Sequence, residues 1–555
     1  MPTVPVRVSV SNLLLLLLLG MLALLFYAAV WHFSLNVPLT DDWLLVFTLT
    51  RVIDPATPWP EALRLLTEQH IDHRILGARL LILADYVAEG HLNLRTLLVG
   101  GSVCVAGFVW LLHRFFRQAN RALWAILPVA LLLFQPSYQE DVWWLICLLQ
   151  HTLTLFLSLY LFSQIDRPGT LAQVGMLGLA ALLVYSNTNG LFVWVAMLGL
   201  HLLRRRWGRA AVWAAVGAVV FGLYFWLDYS FRSKGAALAL WQHPAWVLNG
   251  LVGFVGGGVA FEGRRWLGVP SAWAVVGAGV SILGLMAISG WRAVFGQKKP
   301  SASLLALLAL SFVLVCTGGA AAVARGTGGL LVVGRYQIFA VLCLVVAYAL
   351  LVLQLTNPRH QRLVVAGATG LAGWFWLNAW LLYGPALAHR HNALLADALN
   401  LRTYGRSVTS QAFLAVPFWQ NLLQQTRERG IYAVPDFPQT AGLVQALKQT
   451  PTSADVIFRV DSAFSNVHYV PMQTISHDTL PTPTYLCLWS AQHAYLLPAT
   501  PPPASFLKPL GTGRGVTSAV MPTLLLPGQY RIGWVRKDPT GRWRVTCSGQ
   551  RIWGG

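Results

Sequence analysis

Residues 12–32 read NLLLLLLLGMLALLFYAAVWH, an apolar run without a single aspartate, glutamate, lysine or arginine. A helix of about 20 such residues is long enough to cross the hydrocarbon core of a bilayer. The run is longer than the apolar part of a secretory leader, and no small-residue cleavage site accompanies it. We therefore interpret it as a retained membrane span.

The composition of the whole chain agrees with a membrane protein. Of 555 residues, 56% are hydrophobic and only 11% are charged, whereas soluble proteins carry about 25% charged residues. With so few charges, much of the protein surface must face lipid. Because the chain is too long for one compact core, we expect a membrane domain with an appended second domain.

The net charge of +20 does not indicate nucleic-acid binding here. The basic residues fall in short clusters between apolar runs, which is the distribution that the positive-inside rule produces. A basic cytoplasmic rim beside anionic lipid explains the same residues. We expect membrane lipids as partners, and no nucleic acid.

Further apolar runs predict about eleven spanning helices in all. Placing every basic cluster in the cytoplasm puts the N-terminus inside and the C-terminus outside. Residues 75–89 contain Arg79 and Asp85 and predict a helix lying in the membrane interface. The glycine-rich residues 246–261 predict a re-entrant or buried broken helix. The predicted spans are residues 12–32, 93–113, 122–136, 145–163, 170–186, 190–203, 210–228, 272–294, 302–323, 336–355 and 362–384.

The composition changes after Tyr383, which predicts two domains. Residues 1–384 form an all-α transmembrane domain, in which residues 32–93 are the first extracytoplasmic loop with its interfacial helices. Residues 385–555 form a small extracytoplasmic α+β domain, because proline, threonine, valine and tyrosine become more frequent and short alternating segments predict strands.

Two of the six cysteines lie in the polar C-terminal domain, at Cys487 and Cys547. Cysteines in an extracytoplasmic domain can form a disulfide, and a pair of free thiols is the alternative. The other four cysteines lie in apolar runs, where cysteine acts as a small core residue.

The first predicted outer loop concentrates ionisable residues. Asp41 and Asp42 follow the first span, and His70, His73 and Arg74 belong to the run EQHIDHR. If that run is helical, His70 and Arg74 are neighbours one turn apart and offer a cationic face to an anionic lipid headgroup. The alternatives are a helix cap or surface acid for the aspartates and a salt-bridged anchoring turn for the basic residues.

The second predicted outer loop contains acids beside paired tryptophans. Glu140 and Asp141 precede Trp143 and Trp144 in the run QEDVWW. Tryptophan rings stack on the apolar faces of sugars, so this loop is a candidate sugar platform. The alternative for the tryptophans is an aromatic belt at the membrane interface.

Two further groups of polar side chains lie at or near membrane depth. Tyr185, Asn187 and Asn189 place neutral hydrogen-bonding groups between two spans, where they either line a cavity or make a polar helix-to-helix turn. Arg335 precedes a long apolar run. An arginine there either binds a lipid phosphate through charge-assisted hydrogen bonds or extends to the bulk headgroups.

The organisation of the chain resembles the GT-C class of membrane glycosyltransferases. The shared features are a first span followed by an acidic outer loop with interfacial helices, many further spans and an extracytoplasmic C-terminal domain. The resemblance implies a GT-C-like fold and sugar transfer from a polyprenyl-phosphate-linked donor to an envelope glycan, lipid or protein. The signature acid of the class lies in the first outer loop, where Asp41 or Asp42 would act as the base. We find no equivalent of the Trp-Trp-Asp signature of oligosaccharyltransferases.

The same resemblance assigns roles to the remaining candidates. Arg335 and Arg74, together with His70 or His73, would stabilise the departing phosphate. It also implies a multi-pass protein of a bacterial cytoplasmic (inner) membrane.

Glu140 or Asp141 would orient the acceptor or hold a divalent cation. Metal use differs within the class, so the sequence leaves the metal open.

Two other functions compete with a transferase. A transporter or flippase for a lipid-linked polysaccharide predicts ionisable residues at mid-membrane. A non-catalytic assembly partner predicts a greater need for the C-terminal domain than for Asp41. The chain contains no nucleophile elbow, zinc motif, Walker loop or dinucleotide fingerprint.

Overall fold

The computed structural model describes residues 10–230, 241–260, 265–266, 269–297, 299–325, 329–408, 417–453, 458–460, 470–474, 484–499, 517–520 and 522–554. The chain divides into two compact units. The first unit comprises Met1–His32, Arg51–Ala84 and Leu97–Trp380, and the second comprises Phe33–Thr50, Asp85–Thr96 and Leu381–Gly555. The predicted first outer loop is therefore shared between the two units.

Most of the described chain is helical. In chain order the helices are α1 (Val10–Phe33), α2 (Asp42–Val52), α3 (Trp59–Thr67), α4 (Leu76–Glu89), α5 (Leu94–Gln118), α6 (Leu127–Leu133), α7 (Glu140–Trp143), α8 (Leu145–Ser163), α9 (Thr170–Ser186), α10 (Asn189–Leu203), α11 (Trp207–Trp226), α12 (Pro244–Gly256), α13 (Ser271–Phe295), α14 (Ala302–Arg325), α15 (Gln337–Gln354), α16 (Pro358–Tyr404), α17 (Pro417–Glu428) and α18 (Leu443–Lys448).

Eight helices of the described chain are long and apolar enough to cross a membrane, which confirms the predicted helical character and is compatible with an integral membrane protein. They are α1, α5, α8, α11, α13, α14, α15 with the turn before it, and α16. Three predicted spans are instead shorter apolar helices, at Leu123–Leu133, Thr170–Ser186 and Asn189–Leu203. In the first unit α14 is central, since it packs against α8, α10, α12 and α15.

Glycines let two of these helices approach until their backbones touch. A Cβ placed on Gly256 of α12 would lie 2.0 Å from the carbonyl oxygen of Val275, and one on Gly279 of α13 would lie 2.3 Å from the carbonyl oxygen of Val252. Because glycine has no side chain, the two helix backbones pack closely against each other. Lipid cannot provide equivalent van der Waals contacts. The glycine-rich stretch forms the short helix α12, continued by a 3₁₀ turn at Gly257–Val259, and its re-entrant or broken arrangement in a membrane stays a prediction.

We expect Gly279→Ala to destabilise the first unit by about 1–3 kcal/mol, because the added methyl group forces two helix backbones apart. The matched control is Gly277→Ala on the same helix, where a Cβ meets nothing within 4 Å. Thermal unfolding of the purified protein in detergent measures both. Equal melting temperatures for the two variants would contradict the proposed close packing.

The EQHIDHR run forms a β-hairpin at residues 69–74, so the condition of a helical run, considered above, is not met. Strand β1 (Gln69–His70) pairs with β2 (His73–Arg74), with His70 opposite His73. The turn places Ile71 at a φ of 52°, which a β-branched residue seldom adopts. His70 and Arg74 therefore do not form one face of a helix.

The second unit contains the small sheet domain predicted near the C-terminus. The short hairpin of β3 (Arg265–Trp266) and β4 (Val269–Pro270) belongs to the first unit. A five-stranded sheet has the order β5-β12-β11-β8-β9, and only β5 runs parallel to its neighbour. A three-stranded sheet has the order β10-β7-β6. The strands are β5 (Thr452–Ser453), β6 (Phe458–Val460), β7 (Val470–Thr474), β8 (Thr484–Trp489), β9 (Ala494–Pro498), β10 (Thr517–Val520), β11 (Gly528–Lys537) and β12 (Trp543–Gly554).

Cys487 and Cys547 are buried free thiols in this sheet, not the disulfide considered above. They lie on β8 and β12, on either side of β11, and both are in register with Gly533. Two strand spacings separate their Cα atoms by about 9.5 Å, whereas a disulfide needs a separation below about 7 Å. The Cys487 thiol donates a hydrogen bond to the Cys547 sulfur, and this bond, together with burial, raises the pKa of Cys487 well above its ordinary value.

Candidate functional site

Two arginines of the first unit lie against one tyrosine ring. Arg325 ends α14, and Arg335 lies in the 3₁₀ turn Gly334–Tyr336 that leads into α15. Their guanidinium carbons lie 5.3 and 5.7 Å from the centroid of the Tyr336 ring. Neither arginine forms an ion pair with any residue of the described ranges, and Nη1 of Arg325 is buried without a hydrogen-bond partner there.

Two histidines complete what we term the basic cluster, namely Arg325, Arg335, His73 and His151. Both histidines lie close enough to the two arginines to interact electrostatically with them. Burial, with the neighbouring basic groups, lowers the pKa of His73 far below its ordinary value. His73 is therefore neutral at pH 7 and offers hydrogen bonds, while the arginines supply the positive charge.

The hairpin tip that carries His73 is held by two hydroxyl groups. Thr188 Oγ1 and the Tyr229 hydroxyl both donate to the Asp72 carbonyl oxygen at 3.1 Å. Thr188 Oγ1 also lies 3.4 Å from Nδ1 of His73. These bonds join the tip to the turn between α9 and α10 and to the segment that follows α11, so the hairpin presents His73 and Asp72 in a fixed position.

The predicted acid Asp141 lies in the same region and pairs with His151. Nδ1 of His151 lies 2.9 Å from Oδ1 of Asp141, whose carboxylate is fully buried. The other carboxylate oxygen accepts the Ile338 backbone N–H at 3.1 Å. This N–H belongs to the first turn of α15, where a helix has unsatisfied donors and favours negative charge. Asp141 thus holds both His151 and the start of α15.

Glu140 lies beside the turn that carries Arg335. A Cβ placed on Gly334 would lie 2.5 Å from Oε1 of Glu140, so the carboxylate of Glu140 lies close against the backbone of this turn. No cluster of three or more histidine, cysteine, aspartate or glutamate side chains in the described ranges is suited to a metal ion. We assign no metal to the site, and Glu140 remains a candidate for orienting an acceptor.

Arg74 has a different environment from the one predicted. Its side chain is buried, and its guanidinium donates to the backbone carbonyls of Thr67 and Tyr224, the latter at 2.9 Å. The same group lies over the rings of Tyr224 and Tyr185, at 5.3 and 5.9 Å. Because its donors are already engaged, Arg74 anchors the hairpin, and the geometry does not favour its contacting a phosphate. Tyr185 belongs to this anchor.

Asn187 and Asn189 fix the turn between α9 and α10. Asn187 Nδ2 donates to the Gln150 carbonyl oxygen at 2.9 Å, and its Oδ1 accepts the Asn189 N–H at 3.1 Å. Gln150 belongs to a π-helical turn, Leu148–Thr152, within α8. Such turns are common at functional sites, and this one carries His151. The two asparagines therefore position the site from outside it.

Trp143 is a core residue rather than a sugar platform or an interface belt. It is only 3% exposed and lies edge-on to Phe26, with ring centroids 5.8 Å apart. No face of its ring is open to a ligand. Trp144 is partly buried and keeps the predicted stacking role as a hypothesis.

The aspartates of the first loop belong to the second unit. Asp42 is 2% exposed, and its carboxylate accepts the Leu39 N–H at 3.0 Å, three residues before it. This arrangement favours the helix-cap alternative for Asp42. Asp41 is more exposed and is the better candidate for a base. His70 is buried within its hairpin.

The comparisons with known proteins return no match, neither to a family model, nor to a curated protein, nor to a solved structure.

The sequence interpretation missed Arg325, His151, Tyr336 and Asp72. His151 lies inside the predicted span at residues 145–163, and an ionisable residue within a span is a functional candidate. Arg325 lies at the end of an apolar run, just as Arg335 lies at the beginning of one, and the same reasoning applies to both. Both signals were present in the sequence and could have been used.

Proposed function

We propose that the protein is a membrane glycosyltransferase of the GT-C type that uses a polyprenyl-phosphate-linked sugar. The supporting observation is that Arg325 and Arg335 flank Tyr336 without an ion pair in the described ranges. Two like charges brought together in a partly buried place are costly unless an anion joins them. The guanidinium fork matches phosphate geometry.

The surroundings of the basic cluster favour an anion that carries an apolar chain. The arginines lie at the ends of two apolar helices, α14 and α15. The rings of Phe254 and Phe339 lie 5.8 and 6.2 Å from that of Tyr336. A polyprenyl phosphate offers both properties, an anionic head and a long hydrocarbon tail. In this proposal about eleven spans cross a bacterial inner membrane, and the cluster and the C-terminal domain face outward.

The proposed reaction forms a bond between an acceptor hydroxyl oxygen and the anomeric carbon of the sugar. The bond from that carbon to the phosphate oxygen breaks, and its electron pair leaves with the phosphate. A carboxylate takes the hydroxyl proton, and the arginines stabilise the departing phosphate. Asp41 and Asp72 are the candidate bases. Asp72 lies at the hairpin tip and interacts electrostatically with Tyr336.

The test is the release of polyprenyl phosphate. The purified full chain in nanodiscs is incubated with lipid-linked sugars extracted from bacterial membranes, with and without extracted envelope glycan as acceptor. We expect mass spectrometry to detect free polyprenyl phosphate only when the protein is present. Binding of the lipid without any release would contradict a transferase.

One observation favours the transporter as a second candidate. Asp141 and His151 form a buried ionisable pair, and His151 lies inside a predicted span, as transport proteins often require. Movement of the intact lipid-linked sugar across the bilayer of proteoliposomes, without cleavage, would support this candidate instead.

A further inference from the structure

We infer that Asp141 and His151 are positioning residues that hold Arg335 ready for a phosphate. This inference rests on the proposed function, because it assigns a role within the same basic cluster. The two side chains do not themselves supply the phosphate-binding charge. They fix the turn that supplies it.

The argument begins with the burial of Asp141. Its carboxylate is fully buried, and a buried charge is tolerated only when it is paired and hydrogen-bonded. Its two oxygens are occupied by Nδ1 of His151 and by the N–H of Ile338. Thr152 Oγ1 donates to the Asp141 backbone carbonyl at 2.7 Å. Asp141 thus joins the π-helical turn of α8 to the first turn of α15.

The segment held in this way contains Arg335. Arg335 lies three residues before Ile338, and its backbone lies within hydrogen-bonding reach of His151. The His151 ring also contacts Phe339 at 5.3 Å and Tyr336 at 6.0 Å between centroids. His151 therefore contacts residues before and after Ile338, the residue that Asp141 contacts. A shift of either residue would therefore move the backbone from which the Arg335 side chain extends.

The hydrogen bond to Asp141 also fixes the state of the imidazole. A carboxylate accepts hydrogen bonds, so Nδ1 of His151 carries the proton and Nε2 faces away from Asp141. This fixed orientation resembles the way that outer carboxylates orient functional histidines in other sites.

The experiment uses the full chain in detergent micelles and geranylgeranyl phosphate as the probe, with uncharged geranylgeraniol as the control ligand. The variants are Asp141→Asn, His151→Phe and the double variant. We expect each single variant to raise the Kd for the phosphate about tenfold or more, as for a lost charge-assisted contact. Binding of the alcohol should not change. Ser158→Ala, on the same helix but bonded, within the described ranges, only to the Thr154 carbonyl, should bind the phosphate like the wild type.

Thermal unfolding separates positioning from mere support of the fold. His151→Phe keeps a ring against Phe339 but leaves the Asp141 carboxylate buried without its partner, so its melting temperature should fall. Adding Asp141→Asn removes that charge and should restore the melting temperature while phosphate binding stays weak. Recovery of binding together with stability would overturn the inference.

The outcome for the wild type keeps the two proposals apart. If the wild type and the variants bind geranylgeranyl phosphate equally well, the positioning role is contradicted but the phosphate site is not. A wild type that does not distinguish the phosphate from the alcohol defeats the proposed phosphate site itself.

Discussion

Replacing Arg325 and Arg335 together by glutamine should lower the affinity for polyprenyl phosphate by about 10²–10⁴-fold. Each charge-assisted hydrogen bond contributes about 1.5–3 kcal/mol, and every 1.4 kcal/mol is about a tenfold change in Kd. Release of polyprenyl phosphate from the lipid-linked donor should fall with binding. Calorimetric titration of the purified variant measures the first effect, and mass spectrometry the second.

The matched control is the double variant Arg359→Gln and Arg362→Gln. These two arginines are exposed at the start of α16 and carry the same charge as the pair beside Tyr336. We expect them to leave phosphate affinity unchanged. Equal losses in the two double variants would show that the affinity comes from the general positive charge of the chain and not from a built site.

The second large effect concerns the base. Replacing Asp41 and Asp72 together by asparagine should reduce sugar transfer by about 10²–10⁴-fold, which is the usual contribution of a general base. The phosphate affinity should remain, since neither carboxylate binds the leaving group. The single variants then show which carboxylate acts. Transfer rates are measured with a saturating donor, so that a change in binding cannot imitate the result.

Asp42→Ala is the contrasting variant. Because its carboxylate accepts the Leu39 N–H, its loss should cost about 1 kcal/mol of stability and leave the transfer rate of the folded protein intact. A selective loss of transfer in Asp42→Ala would reverse the roles of the two neighbouring aspartates. Unchanged transfer in the Asp41 and Asp72 double variant would remove both from the mechanism.

Hydropathy predicts the helices well because a span must be apolar over its whole length. The run at residues 12–32 becomes α1, and the glycine-rich stretch becomes the short helix α12. The hairpin could not be predicted in the same way. Its turn requires a positive φ at Ile71, and the sequence pattern favours no such conformation for isoleucine.

The site was predicted only where a single residue carries the signal. Arg335 stands out because it precedes an apolar run. Arg74 looks equally cationic in the sequence, yet tertiary carbonyl groups occupy its donors. The contact between Asp141 and Ile338 joins residues 197 positions apart, and no local pattern reveals such a pair.

The π-helical turn at Leu148–Thr152 changes the phase of α8. Each residue of an α-helix advances the side-chain direction by about 100°, so a turn with a wider period rotates everything beyond it relative to an unbroken helix. A helical wheel drawn straight through residues 145–163 would therefore assign lipid-facing and inward-facing positions incorrectly on one side of His151. Cysteine labelling of α8 should be designed with two separate wheels, one before the turn and one after it.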